Sequence, residues 1–251
     1  MKRQRLNWQE KVRKNMRKIM DFEHVKAVFE EYLNGYDREN DKVKLKIVHT
    51  YGVIRCSEEI GRRMGLQAED MELAKLIALL HDIGRFEQLK RFNSFEADTM
   101  DHATYGVQVL FEEGMIRQFI EEDTWDDVIR TAIAKHSDYE LTGITDERTL
   151  LHARLIRDAD KLDNCRVKLE DAMETLLDLS ADEVGKYAIS PKVREDAFAG
   201  KCICSKDRRT RWITGFPMWH TFYDLKFSGD TGHCGRRAVC KADHRTCAIY
   251  K

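Results

Sequence analysis

Proline is nearly absent from this chain: Pro191 and Pro217 are the only two in 251 residues. Nothing therefore interrupts the first 190 residues with the ring that breaks helices. Long apolar runs are missing as well. No stretch approaches the roughly 18 to 20 apolar residues that a membrane span needs, so a membrane role is not expected. The opening, "MKRQRLNWQEKVRKNMRKIM", lacks the apolar core of a secretory signal. A cytoplasmic location is the expectation, with the seven cysteines as thiols. Charge of one sign is lacking too: 43 basic against 44 acidic side chains leave a net charge of -1. That balance argues against a chain built for duplex nucleic acid. No glycine-rich phosphate loop, internal repeat or convincing β alternation before residue 180 is present.

What remains is helical periodicity. Val25, Val28, Phe29, Tyr32 and Leu33 recur at helical spacing between Phe22 and Tyr36, with Gly35 as a stop. Asp41 is placed to cap a helix running to about Met64, with Gly65 at its C-terminal end. A further helix covers about Ala68 to Asp82 and ends at Gly84. The segment "RFEQLKRFNSFEADTMD" reads as a polar and aromatic loop. Asp98 or Asp101 then starts a helix ending near Gly114. Thr124 and Asp127 have capping-box spacing ahead of a helix reaching His136. About Asp146 to Leu179 forms the next, with room for a bend. The expected class is all-α, a helical bundle. The expected organisation is a basic segment over residues 1–20, a domain over 21–206 and an atypical tail over 207–251.

Polar residues on apolar faces carry the functional signal. In "LIALLHDIGRFEQ" an apolar run ends in His81 and Asp82, side by side, with Ile77 and Ala78 one turn earlier. His49 shares a helix face with Leu45 and Val53. His136 follows Ile129, Ala132 and Ile133. Asp160 follows Ile156 and Ala159, and His102 sits just after a candidate cap. Buried imidazoles and carboxylates are costly unless paired. The residues alone leave two readings open: hydrogen-bonded core histidines with capping aspartates, or a shared cation site. Nitrogen and oxygen donors without thiolate suit Mn, Fe, Co, Ni, Zn or Mg.

The order His49, His81–Asp82, Asp160 resembles the HD-domain superfamily of metal-dependent phosphohydrolases. "HDIGRFEQ", "DHATYGVQVLFEEG" and "IRDADKLDN", in that order, are similar to a bacterial branch described only as HD-domain proteins. The resemblance spans about residues 20 to 206. It implies an HD-domain helical bundle with one or two divalent ions. His49, His81, Asp82 and Asp160 would bind the first ion, and Asp82, His102 and His136 the second, with Asp82 bridging. Asp158 competes with Asp160, and the "aDkL" pattern of the family favours Asp160. Arg85 stands where many two-metal relatives carry lysine, and a planar fork is not interchangeable with an ammonium. The motif of the cyclic-dinucleotide phosphodiesterase branch is not evident.

The implied activity is hydrolysis of a phosphate ester or anhydride of a small phosphorylated compound, a nucleotide among the candidates. Asp82 and Arg85 are the expected catalytic residues. Arg85 is the phosphate contact, with Lys135 and Lys161 as weaker candidates whose ordinary role is a solvated face. Arg85 has the alternative of pairing with Glu87. Phe92 and Phe95 either line the pocket or anchor their loop. His24 and His152 have no motif support. Two other functions compete: a non-catalytic regulatory domain binding metal or nucleotide, and an RNA-associated protein using the basic start. The sequence leaves the oligomeric state open.

The tail after about Arg208 changes character, becoming rich in Cys, Gly, His and Arg. "FYDLKF" looks like a "FDLNF" stretch of the family, but its flanks do not. Two readings compete: an altered reading frame, or a zinc site from Cys234, Cys240 and Cys247 with His233 or His244. The zinc reading lacks C-x-x-C knuckles. Cys202 and Cys204 read as plain core thiols.

Overall fold

The computed structural model describes residues 21–186 apart from 97 and 139, together with 191 and 195. The basic start, the tail with its cysteines and histidines, and Cys202 and Cys204 lie outside the described residues. The described residues are helical, with no strand among them. No described helix is long and apolar enough to cross a membrane. The chain divides into two compact units, one through Ile156 and one from Arg157 onward.

In the first unit α1 spans Phe22–Leu33, capped by Asp21, whose carboxylate accepts from the Glu23 and His24 amides. Its buried stripe is Val25, Phe29 and Leu33, each four residues on from the last. Helix α2 runs over Asp41–Met64. Its cap is Asn40, not Asp41: the Asn40 side chain accepts from the Lys42 and Val43 amides. Asp41 stands in the first turn, where a carboxylate complements the helix dipole. Gly65 ends the helix in the left-handed region at φ 73°, as its residue type requires.

Helix α3, Ala68–Leu80, is the centre of this unit. Leu76, Ile77, Ala78, Leu79 and Leu80 are all buried, so its last turns are apolar all round. The expectation that Gly84 ends this helix is wrong, and so is the loop assigned over 85–92, whereas its described remainder up to Asp101 is indeed non-helical. His81 and Asp82 make a turn, and α4 begins at once over Ile83–Phe92. Ile83, Phe86 and Leu89 bury one side of α4. Phe86 packs edge-on against Phe29 at 5.9 Å, while the Tyr32 hydroxyl donates to the Ile83 carbonyl at 2.9 Å. Together these contacts fix the start of α4 beside Asp82.

Gly84 serves the approach of α5, which spans His102–Val107. A methyl group on Gly84 would lie 2.2 Å from the His102 carbonyl oxygen and 2.7 Å from the Gly106 nitrogen. Only glycine allows that backbone crossing. Asp101 caps α5 by accepting from the Ala103 and Thr104 amides, and a π turn over Gln108–Glu112 continues it. Gly114, at φ 79°, follows that turn, close to the expected end.

The short α6, Ile116–Phe119, has no counterpart in the sequence reading. It packs on α1 and buries Ile116 and Phe119. Helix α7 spans Asp126–Ala134 and begins with Trp125 at the cap position, without a side-chain cap bond. The capping box expected from Thr124 and Asp127 is therefore not formed. Helix α8, Glu147–Glu170, starts in the first unit, where the Asp146 carboxylate accepts from the Thr149 amide at 2.7 Å.

The second unit takes α8 from Arg157 onward. Arg166 grips Asp163 through two bonds of 2.9 Å. The expected bend follows Glu170: α9 covers Met173–Leu177, and α10 covers Ala181–Val184 behind a capping box of Ser180 and Glu183.

Candidate metal centre

Four elements of the first unit bring polar side chains to one buried point. The middle of α2 supplies His49, the turn after α3 supplies His81 and Asp82, the first residue of α5 supplies His102, and the residues just after α7 supply His136. All five are buried, His49 and His81 completely.

Two of the rings are aimed by the same local device. His81 Nδ1 lies 2.7 Å from the Ala78 carbonyl, and His136 Nδ1 lies 2.7 Å from the Ile133 carbonyl. A carbonyl only accepts, so each Nδ1 carries a proton and Nε2 is the nitrogen left to face the cluster, the tautomer in which it can serve as a ligand. Both contacts reach back three residues, so the end of each helix sets the orientation of its own histidine.

Asp82 sits between two sets of groups, one on each carboxylate oxygen. On the Oδ2 side lie His81 Nε2 at 3.5 Å, His49 Nε2 at 3.9 Å and Lys46 Nζ at 2.6 Å. On the Oδ1 side lie His102 Nε2 at 3.3 Å, His136 Nε2 at 3.5 Å and Arg85 Nε at 3.9 Å. His102 Nε2 and His136 Nε2 are themselves 3.1 Å apart. One donor atom each from Asp82, His102 and His136 falls within 4.8 Å of the others, the spacing of groups that can hold one ion.

The electrostatics suit a cation. Burial alone would raise the Asp82 carboxyl. The Lys46 charge, then the His81 ring and the close His102 and His136 rings outweigh it and hold Asp82 well below the usual carboxylate range. His102 is pushed down to about 3, first by burial and then by the Arg85 guanidinium, so its ring is neutral at physiological pH. Arg85 Nη2 lies 3.0 Å from His102 Nε2 and supplies the hydrogen. The result is a carboxylate surrounded by imidazole nitrogens, two of them meeting at hydrogen-bond distance. These donors fit a divalent ion of the Mn, Fe, Co, Ni, Zn or Mg type.

Residues 47–165 match the family model described as HD domain. This stretch is an HD domain. That places it in the superfamily of metal-dependent phosphohydrolases, whose members are generally hydrolases and bind divalent metals. The chain is also 29% identical over 165 residues to Ribonuclease Y of Acetivibrio thermocellus, a match covering 62% of this chain and 27% of that protein. It thus spans about a quarter of the length of that curated relative. No solved structure matches the chain.

The remaining candidates of the HD domain are distributed as follows. Asp160 lies on α8 in the second unit, half-buried, and accepts from Asn164 Nδ2 at 2.9 Å. Asp158 is buried. Lys161 is buried rather than solvated, because it falls on the inward stripe of α8 with Arg157. Lys135 pairs with Asp138 at 3.3 Å, an ordinary surface interaction. Arg85 Nη1 donates to the Gln88 side chain and to the Phe95 carbonyl. Glu87 accepts from Arg91 at 2.6 Å. Phe92 is exposed, whereas the half-buried Phe95 ring lies 5.8 Å from Lys46 Nζ.

His24 binds the Gln118 carbonyl at 2.9 Å. His152, read as ordinary, is buried and lies 3.1 Å from Asp70 Oδ1, which Arg148 also grips at 2.7 Å. Two residues of the HD-domain site escaped the sequence reading. Lys46 stands one turn before His49 on a buried face, and that placement was its signal. Gln88, fully buried on α4, holds Arg85. Nothing marked it, because its segment reads as loop.

Proposed function

We propose that this protein is a metal-dependent phosphohydrolase acting on a phosphate ester or anhydride of a small phosphorylated compound, such as a nucleotide. The observation that carries this reading is the division of Asp82 between two pairs of histidines, one pair on each carboxylate oxygen. A carboxylate has two oxygens to share, whereas a neutral imidazole has a single lone pair.

In this reading His49, His81 and Asp82 serve a first ion, and Asp82, His102 and His136 a second. The sequence resemblance adds Asp160 to the first. Bound divalent ions supply a water acidic enough to attack at neutral pH and offset charge on the phosphoryl oxygens. The chain's own groups do the positioning. The Ala78 and Ile133 carbonyls keep His81 and His136 from turning their protonated nitrogens inward. Arg85, braced by Gln88 and the Phe95 carbonyl, orients the phosphate through its planar fork. Neutral His102 offers at Nε2 the lone pair that Arg85 Nη2 meets. Lys135 and Lys161 are secondary candidates for substrate contact.

The test is a panel of nucleotides, sugar phosphates and an aryl phosphate, assayed with Mn, Ni, Co and Mg, alongside elemental analysis of Asp82→Ala and Asp160→Asn. Turnover that requires metal, with metal lost from Asp82→Ala, is expected. Full metal occupancy in Asp82→Ala sinks the bridging role. Metal and nucleotide binding without turnover of any panel member gives the regulatory alternative instead.

A further inference from the structure

Lys46 is a buried lysine that no motif explains. Its ammonium lies 2.6 Å from Asp82 Oδ2, on the opposite carboxylate oxygen from Arg85. Burying a lysine against an aspartate is seldom the most stable arrangement, since apolar residues of similar size often serve as well. Its position suggests another use. The His49 and His81 side chains are 0% exposed, Asp82 and His136 3%, but His102 is 10%, Lys46 11% and Arg85 14% exposed. The cluster therefore meets solvent at Lys46, His102 and Arg85. Lys46 and Arg85 are thus the two cations of the cluster that solvent touches.

Phe95 ties those two cations together. Its ring lies 5.8 Å from the Lys46 ammonium, and its carbonyl accepts from Arg85 at 3.2 Å. The cation–π contact holds Lys46 without consuming an N–H donor. An ammonium has three such donors, and the Asp82 bond uses one.

We infer that Lys46 is a second phosphate-binding residue of the site, acting with Arg85 from the opposite side of Asp82. This rests on the hydrolase reading above and narrows its substrate. Two cations on separate sides suit a terminal phosphate, whose three non-bridging oxygens can be shared among both cations and the centre. A phosphodiester has only two such oxygens.

The experiment measures inorganic phosphate affinity and bound metal on the manganese-loaded full-length protein, for wild type, Lys46→Gln, Lys46→Arg and Lys44→Gln. Lys44→Gln removes the same charge from the same helix, at an exposed lysine that pairs with Glu39. Lys46→Gln is expected to keep wild-type metal content, weaken phosphate binding about tenfold, and raise KM for an aryl phosphate more than for a bis-aryl phosphate. Lys46→Arg should recover most of the affinity, and Lys44→Gln should match wild type. Unchanged phosphate affinity in Lys46→Gln overturns the inference, as does a loss equalled by Lys44→Gln. Loss of metal from Lys46→Gln also overturns it, making the lysine a support for Asp82. Should Lys46→Gln fail to fold, Lys46→Arg decides, since a purely packing role predicts no recovery of phosphate affinity from charge. Absence of metal from the wild type would instead strike the hydrolase reading itself.

Discussion

At Gly84 the missing side chain decides whether α4 and α5 can meet. The obstacles to a methyl group are the His102 carbonyl and the Gly106 nitrogen, both backbone atoms that cannot swing aside. Gly84→Ala is expected to cost on the order of 3 kcal/mol and to shift His102 away from Asp82. A urea midpoint equal to wild type would contradict this. His152 supports a second expectation. Burial pushes its imidazole down, more strongly than Asp70 draws it up. The folded protein therefore binds fewer protons there than the unfolded chain. Stability from this residue is complete above the unfolded value of about 6.5 and is lost as pH falls from there towards the lowered folded value. His152→Gln should have a smaller drop in melting temperature between pH 7.5 and 5.5 than wild type. An equal drop would assign the acid sensitivity elsewhere.

Among the elements, α4 with its following loop is the one most misread from sequence and the one closest to the chemistry. Ile83, Phe86 and Leu89 follow a helical repeat, but Arg85 and Gln88 occupy positions where further apolar residues would have marked the stripe. Arg85 reaches His102, and Gln88 holds Arg85. Gln88 donates to the Glu96 carbonyl at 2.8 Å and to Thr99 at 2.7 Å while accepting from Arg85. It thus joins the arginine to the loop that carries Phe95. Gln88→Leu removes all three bonds from a fully buried position, at a cost of about 1–3 kcal/mol for each group left unsatisfied. Amide exchange over residues 93–101 is expected to accelerate in that variant. Unchanged protection would mean that the loop is held by other contacts. Helices α1 and α3 were legible because their buried residues are apolar, and α2 because Gly65 marks its end. The short α6 was not, since one turn is too short for a period to be read.

At the scale of the molecule, the first unit gathers His49, His81, Asp82, His102 and His136 in its interior, where each must be satisfied. A ligand bound only by the folded form adds stability with its concentration, about 2.7 kcal/mol at a hundred times its dissociation constant. Manganese should therefore raise the melting temperature progressively, and a chelator should lower it. A melting temperature independent of both would argue that hydrogen bonds alone satisfy the cluster. Asp82→Ala is expected to lose this dependence on manganese, which ties the effect to the centre rather than to surface carboxylates.

The all-α class, the position of the main helices, and the His and Asp residues turned inward were determined by the sequence, because helical periodicity is local. That His81 and His136 orient through carbonyls three residues back follows from the same local geometry. Which oxygen of Asp82 faces which histidine was decided only in the tertiary structure, as were the placement of Lys46 opposite Arg85 and the need for glycine at position 84. Those relations join residues far apart in the chain: Asp82 meets Lys46 from one helix and His136 from the turn after another. Helix packing and a backbone crossing set such distances, and no spacing along the chain encodes them.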